Sequence, residues 1–116
     1  MSIWKTTPVN QTPEIALENW RVFEVRSLYW DETTRHFMGY NLTEREGRVS
    51  SAIETFDPVT RQGITKSGRV YQLIGDPGYN RDAEYTWSRW CEINHIEDQR
   101  DVTAEVLNAE RSEQRA

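Results

Sequence analysis

The 116-residue chain holds a single cysteine. That excludes an internal disulfide framework and any metal cage built from cysteine alone. No apolar run approaches the roughly 18 residues that a membrane-spanning helix needs, and mean hydropathy is −0.83. The opening residues, MSIWKTTPVNQTPE, lack the apolar stretch of a secretory leader. The sequence therefore predicts a cytoplasmic protein with no membrane association. Glycine is scarce, with six in all. Neither GxGxxG nor GxxxxGK[ST] occurs, so no phosphate cradle of those types is expected, and the GxSxG nucleophile elbow is absent too. The carboxylates Glu24, Glu54, Asp57 and Asp76 are dispersed, with nothing to mark two of them as an acid–base pair. No cofactor is expected. Positive charge is in deficit: 14 Lys and Arg stand against 19 Asp and Glu, net −5. The acidity is concentrated late in the chain, where residues 81–116 hold five Arg and nine acids, net −4. Generic binding to duplex phosphate needs an extended positive surface, which this balance opposes.

Aromatic residues are plentiful. Five Trp, five Tyr and three Phe accompany a hydrophobic fraction of only 36%, so most of these rings must build the core. Trp4, in a polar segment, and Trp30, at a strand end, have the weakest claim to burial. An exposed Trp is a good interface anchor.

Residues 1–12 read as a loosely ordered arm. Thr12-Pro13-Glu14 is a helix-start signal leading to at most a turn or two. From Trp20 the pattern becomes that of strands. In 20–30, Phe23, Val25 and Tyr29 share one face, and Trp20, Val22, Leu28 and Trp30 share the other. Both faces are partly apolar, which predicts a helix covering one side. Further strands are expected at 35–42, 48–56, 64–66 and 69–74, with turns at 31–34, 43–47, 57–63 and Ser67-Gly68. Asn80 is positioned to cap an amphipathic helix over 81–95, with Trp87 and Trp90 as its packing groups. A second helix is expected over 98–109 on a thin stripe of Val102, Val106 and Ala109, beside a frayed end. The expectation is an α+β fold: a five-stranded antiparallel meander, bent or forming a small open barrel, with one packed helix and a marginal C-terminal one. The core domain spans 13–96, with 97–116 as helix and tail.

The run 47–78, with TRHFMGY (34–40) before it and Trp87 and Trp90 after it, carries the elements FDPVT, SGRVY and GDPG. In these it resembles a group of small uncharacterised bacterial proteins with FDPxT, SGRxY and GxPG motifs. The likeness covers about half of the chain. The shared elements are turn and hairpin chemistry, so the resemblance implies a common fold and a bacterial setting, with no activity to carry over.

Three sets of residues could carry function. Arg48, Arg61, Lys66 and Arg69, with Arg35 nearby, lie around the hairpins, where a meander would gather them at one edge beside Phe37, Tyr40 or Tyr71. Such a surface protects an edge strand, gives charge complementarity to a partner, or stacks single-stranded bases. Cys91 and His95 stand four residues apart, so a helix through both would place thiol and imidazole together as a nucleophile pair or two metal ligands. Glu84 and Glu92 lie near them on the helical wheel. A lone Cys beside two Trp on an apolar arc is most often a small buried hydrophobe, and His36 reads as a half-exposed strand histidine. The third set is apolar: Trp4, Trp30, Val102 and Val106. We expect a non-catalytic protein-binding module, a small accessory or regulatory protein. These apolar residues would anchor a protein partner or self-association, and the basic edge would supply complementarity. The alternatives are a single-strand nucleic-acid binder through that edge, and an enzyme or metal site at Cys91 and His95.

Overall fold

A computed structural model describes residues 12–108. Trp4 and Ala109 therefore lie outside the described residues, as do nearly all of the expected arm and the end of the chain. Seven strands form one mixed sheet: β1 (Ile15–Ser27), β2 (Thr34–Asn41), β3 (Glu46–Val49), β4 (Ile53–Asp57), β5 (Gln62–Thr65), β6 (Val70–Leu73) and β7 (Ile96–Asp101). Helix α1 (Arg81–Ile93) precedes β7. A second helix, α2, starts at residue 103 and is described as far as 108. The α+β class holds. The sheet, however, has seven strands in place of five, and it is not wholly antiparallel, because β1 and β6 run parallel.

β1 is the spine. It pairs with β2 along one edge and shares the other between β6, at Ile15–Leu17, and β7, at Phe23–Ser27. A bulge between Glu18 and Arg21 interrupts the β1–β2 register, with Asn19 at φ 49°. Asn is one of the few residues that tolerates this conformation. The extra residue matters for packing. Without it Leu17 and Trp20 would point to opposite faces; with it, Leu17, Trp20 and Val22 all enter one core.

The strand order is β3-β2-β1-β6-β5-β4. β3 and β4 stand at opposite margins, yet only residues 50–52 separate them in the chain. The sheet must therefore curl until its margins approach, and β2 comes into contact with β4. No ladder joins β3 to β4, so the curl stays open. Inside it lie Leu17, Trp20, Val22, Phe37, Phe56, Tyr71 and Leu73, together with Val102 and Val106. On the outer face, α1 packs across β2 and β3, and its Ala83 and Trp87 join Val25 and Met38 in a second buried cluster. The helix expected on one side of β1 is thus present. Its N-cap is Asn80, whose side chain accepts from the Ala83 N–H.

Four expectations need correction. The strand region begins at Ile15, where β1 starts, and not at Trp20. The run 48–56 is two strands broken at 50–52, because buried Ser50 diverts the chain. The 98–109 helix is replaced by β7 followed by α2. The edge of β1 beyond β6 leaves backbone groups to satisfy, and residues 96–101 fill it. Arg26 reaches Asp98 at 2.6 Å across this pairing, and Arg100 reaches Glu24 at 3.2 Å. Asp101 then accepts from the Thr103 N–H at 2.9 Å and starts α2. Finally, residues 97–108 do not stand apart from the domain, since β7 joins its sheet and Val102 and Val106 its core.

Gly47 permits the close seating of α1. A Cβ there would collide with the Asp82 carbonyl oxygen and Thr86 Oγ1. Gly47→Ala is therefore expected to cost about 1–3 kcal/mol, read as a lower midpoint in urea. An unchanged midpoint would mean that α1 is not held this tightly on β3.

Candidate functional site

Where the curled sheet fails to close, a cleft of about 690 Å³ opens. Val49 at the end of β3 and the connecting residues Ser50, Ser51 and Ala52 form one wall. Trp30, Asp31 and Glu32 from the loop after β1 form another, Trp90 and Asn94 come from α1 and its end, and Lys66 comes from the β5–β6 turn. Thr34 and His36 complete the lining.

Ser50 holds the break in shape. Its N–H donates to the Phe37 carbonyl, and its Oγ accepts from the Phe37 N–H, both at 2.9 Å. The hydroxyl itself donates to the Ser51 carbonyl at 2.7 Å. The Ser50 carbonyl can only accept, so His36 Nδ1 carries the proton of the 2.9 Å bond between them. That fixes the tautomer: Nε2 accepts from the Thr34 hydroxyl at 2.8 Å. Burial lowers the His36 pKa to about 4, against the smaller opposing effect of the Ser50 bond. The residue is 3% exposed, and its ring is neutral at pH 7. This corrects the expected half-exposed histidine.

The aromatic wall is continuous with the outer core. Phe23 stacks on Trp87 with centroids 4.6 Å apart, and Trp87 stacks on Trp90 at 5.2 Å. Trp90 meets His36 at 4.6 Å and Trp30 at 6.4 Å. Most of this ladder is structural: Trp87 Nε1–H, for example, donates to Gln99 at 2.7 Å. Trp30 differs. Its indole N–H is shut off from solvent and has no acceptor among the described residues, a cost of about 1–3 kcal/mol for a buried donor.

The loop carrying Trp30 is pinned to the end of α1. The Ser27 hydroxyl donates to the Asn94 carbonyl at 2.5 Å and the Leu28 N–H to the His95 carbonyl at 3.0 Å. The same two segments also carry Leu28, Tyr29 and Ile93, each more than 60% exposed. Tyr29 lies against His95, with ring centroids 4.8 Å apart.

The residues singled out from sequence are mostly scattered. Trp30 lines the cleft, and so does Lys66. Val102 and Val106 are core residues, unavailable as surface anchors in this fold. Arg48 Nε donates to the Tyr71 hydroxyl at 2.9 Å. Arg61 donates to the Gly75 carbonyl at 3.0 Å, with its guanidinium 5.8 Å from the Trp20 ring centroid. Arg69 lies 3.9 Å from Glu14. Arg61 precedes β5 and Lys66 and Arg69 follow it, so the basic set does not gather at one edge. Phe37 and Tyr71 are buried and offer no stacking platform. Arg35 is turned to Glu24 at 2.9 Å. α1 ends at Ile93, before His95, whose φ of 46° takes it off the helix; the i, i+4 geometry with Cys91 is lost. Partial burial raises the Cys91 thiol to about 11, which leaves little thiolate at neutral pH. Among the described residues no three His, Cys, Asp or Glu side chains group as metal ligands, and no helix is long and apolar enough to cross a membrane.

His36, Trp90, Asp31 and Glu32 are cleft residues that the sequence did not assign to a binding surface: His36 read as a strand histidine, Trp90 as a packing group, and the two acids as a turn. The only available signal was the Leu28-Tyr29-Trp30 run set directly before two acids. No family model matches the chain, and neither a curated protein nor a solved structure matches it.

Proposed function

We propose that the chain is a non-catalytic protein-binding module and that the cleft beside Trp30 is its docking surface. One observation carries this reading: an indole wall opens next to three strongly exposed apolar side chains on the same two segments, 28–30 and 90–94. An apolar centre with a polar rim is the anatomy of a protein interface. Docking accounts for the exposure of Leu28, Tyr29 and Ile93, which packing within the fold does not. Partial burial raises the Cys91 thiol to about 11, which makes it a poor nucleophile and supports the non-catalytic reading.

The test is affinity capture from a bacterial lysate, with and without nuclease, using the wild-type chain and Trp30→Ala. The expected result is a stoichiometric protein that survives nuclease and is bound about 30-fold or more weakly by the variant, the loss expected of a central aromatic anchor. Material that disappears with nuclease would transfer the function to nucleic-acid binding. Equal capture by both proteins would move the docking surface elsewhere.

A further inference from the structure

We infer that the segment received by this cleft is basic, with an Arg or Lys side chain lying against Trp30 beside Asp31 and Glu32 and apolar neighbours resting on Leu28, Tyr29 and Ile93. The inference rests on the docking reading above and names the partner's chemistry. Its basis is charge. Asp31 and Glu32 line the cleft, both are exposed, and neither has an ion-pair partner among the described residues. Among the described residues Lys66 is the only cation of the lining, and His36 is neutral, so these residues give the lining a net charge of −1. The whole chain carries −5. An incoming acidic segment would meet two carboxylates; an incoming basic one meets a single ammonium.

The wall adds a second attraction. A guanidinium or ammonium over an indole face is drawn to the negative face of the ring, and Trp is the strongest such partner. The fold makes this contact internally, with Arg61 over Trp20 at 5.8 Å. Trp30 sits directly before the two acids in sequence, so one side chain can meet both attractions. Leu28, Tyr29 and Ile93 then offer apolar contact on the side leading to the end of α1. Steering by the acids would raise the association rate and make binding salt-dependent.

The test uses two N-acetylated, C-amidated pentapeptides, Ala-Leu-Arg-Leu-Ala and Ala-Leu-Glu-Leu-Ala, titrated into ¹⁵N-labelled protein. The readout is the Trp30 indole N–H resonance, assigned with Trp30→Phe. The arginine peptide is expected to shift that resonance and to bind at least 10-fold more tightly than its glutamate counterpart. The double variant Asp31→Asn/Glu32→Gln should weaken it about 5- to 10-fold, and Lys66→Glu should tighten it about 3- to 10-fold. Both sites are exposed, and unchanged circular dichroism would verify the fold. If the glutamate peptide binds more tightly and Lys66→Glu abolishes it, the basic occupant is overturned while the docking surface stands. If neither peptide moves the Trp30 resonance, the inference also fails, and the docking reading is then judged by the capture experiment alone.

Discussion

Val106→Asp is expected to lower stability by about 4 kcal/mol or more, most of the stability of a domain at the low end of the ordinary range. On sequence alone Val106 is one residue of a thin stripe, with Val102 and Ala109, on a marginal helix, and an expected surface anchor. In the fold it is 1% exposed, and it shares the inner core with Val102 at 0%. The chain is tied down just ahead of it. The Val102 N–H donates to the Val22 carbonyl at 2.9 Å, and the Val22 N–H donates to Thr103 Oγ1 at 3.0 Å. A carboxylate at 106 would lose its hydration without gaining a partner. Urea unfolding followed by tryptophan fluorescence measures the effect. A midpoint close to wild type would mean that α2 lies on the surface and that the curled sheet is filled by something else.

The second large effect is acid sensitivity through His36. An unfolded histidine titrates near 6.5, and burial holds the folded one at about 4. Between these values the unfolded chain binds the proton and the folded chain does not, so stability rises with pH across this window. Its contribution is intact above pH 6.5, falls away as pH drops, and is lost by about pH 4. The difference amounts to about 3 kcal/mol. Protonation would also place a hydrogen on Nε2, where the Thr34 hydroxyl now donates. Glu24 enters later. Burial raises its pKa, but Arg35 and Arg100 outweigh that and hold it below the usual carboxylate range, so its loss falls at lower pH. His36→Gln should be less stable than wild type at pH 7 and nearly flat between pH 6.5 and 4. An equal slope in both proteins would show that His36 does not titrate in this way.

Legibility from sequence follows the range of the interactions. The two faces of β1 could be read because alternation is local, and α1 because Asn80 and the Trp87–Trp90 spacing are local. The parallel pairing of Ile15–Leu17 with Tyr71–Leu73 could not, since it joins segments more than fifty residues apart and Pro13 signals a helix nearby. β7 is the clearest override. Glu97, Asp98, Gln99 and Arg100 suit a helix at least as well as a strand, and only the vacant edge of β1 decides between them. The break at Ser50 was hidden by the apolar residues on either side of it.

The site divides in the same way. Trp30 stood out because of its neighbours in the chain. His36 and Trp90 become cleft residues only when β2 and α1 come together, and Asp31 and Glu32 look like ordinary turn residues until a cleft opens beside them. The basic set failed for the converse reason: hairpin connectivity sends Arg61 and Lys66 to opposite ends of β5, and Arg48 turns to Tyr71.

On the docking reading, Trp30 serves binding more than folding. The most direct test of this claim measures partner capture and urea unfolding on the same Trp30→Phe preparation. That substitution removes the orphaned indole N–H together with part of the wall, so stability should stay within about 1 kcal/mol of wild type while capture falls sharply. Unaltered capture, or a loss of stability of several kcal/mol, would contradict the claim and return Trp30 to the core.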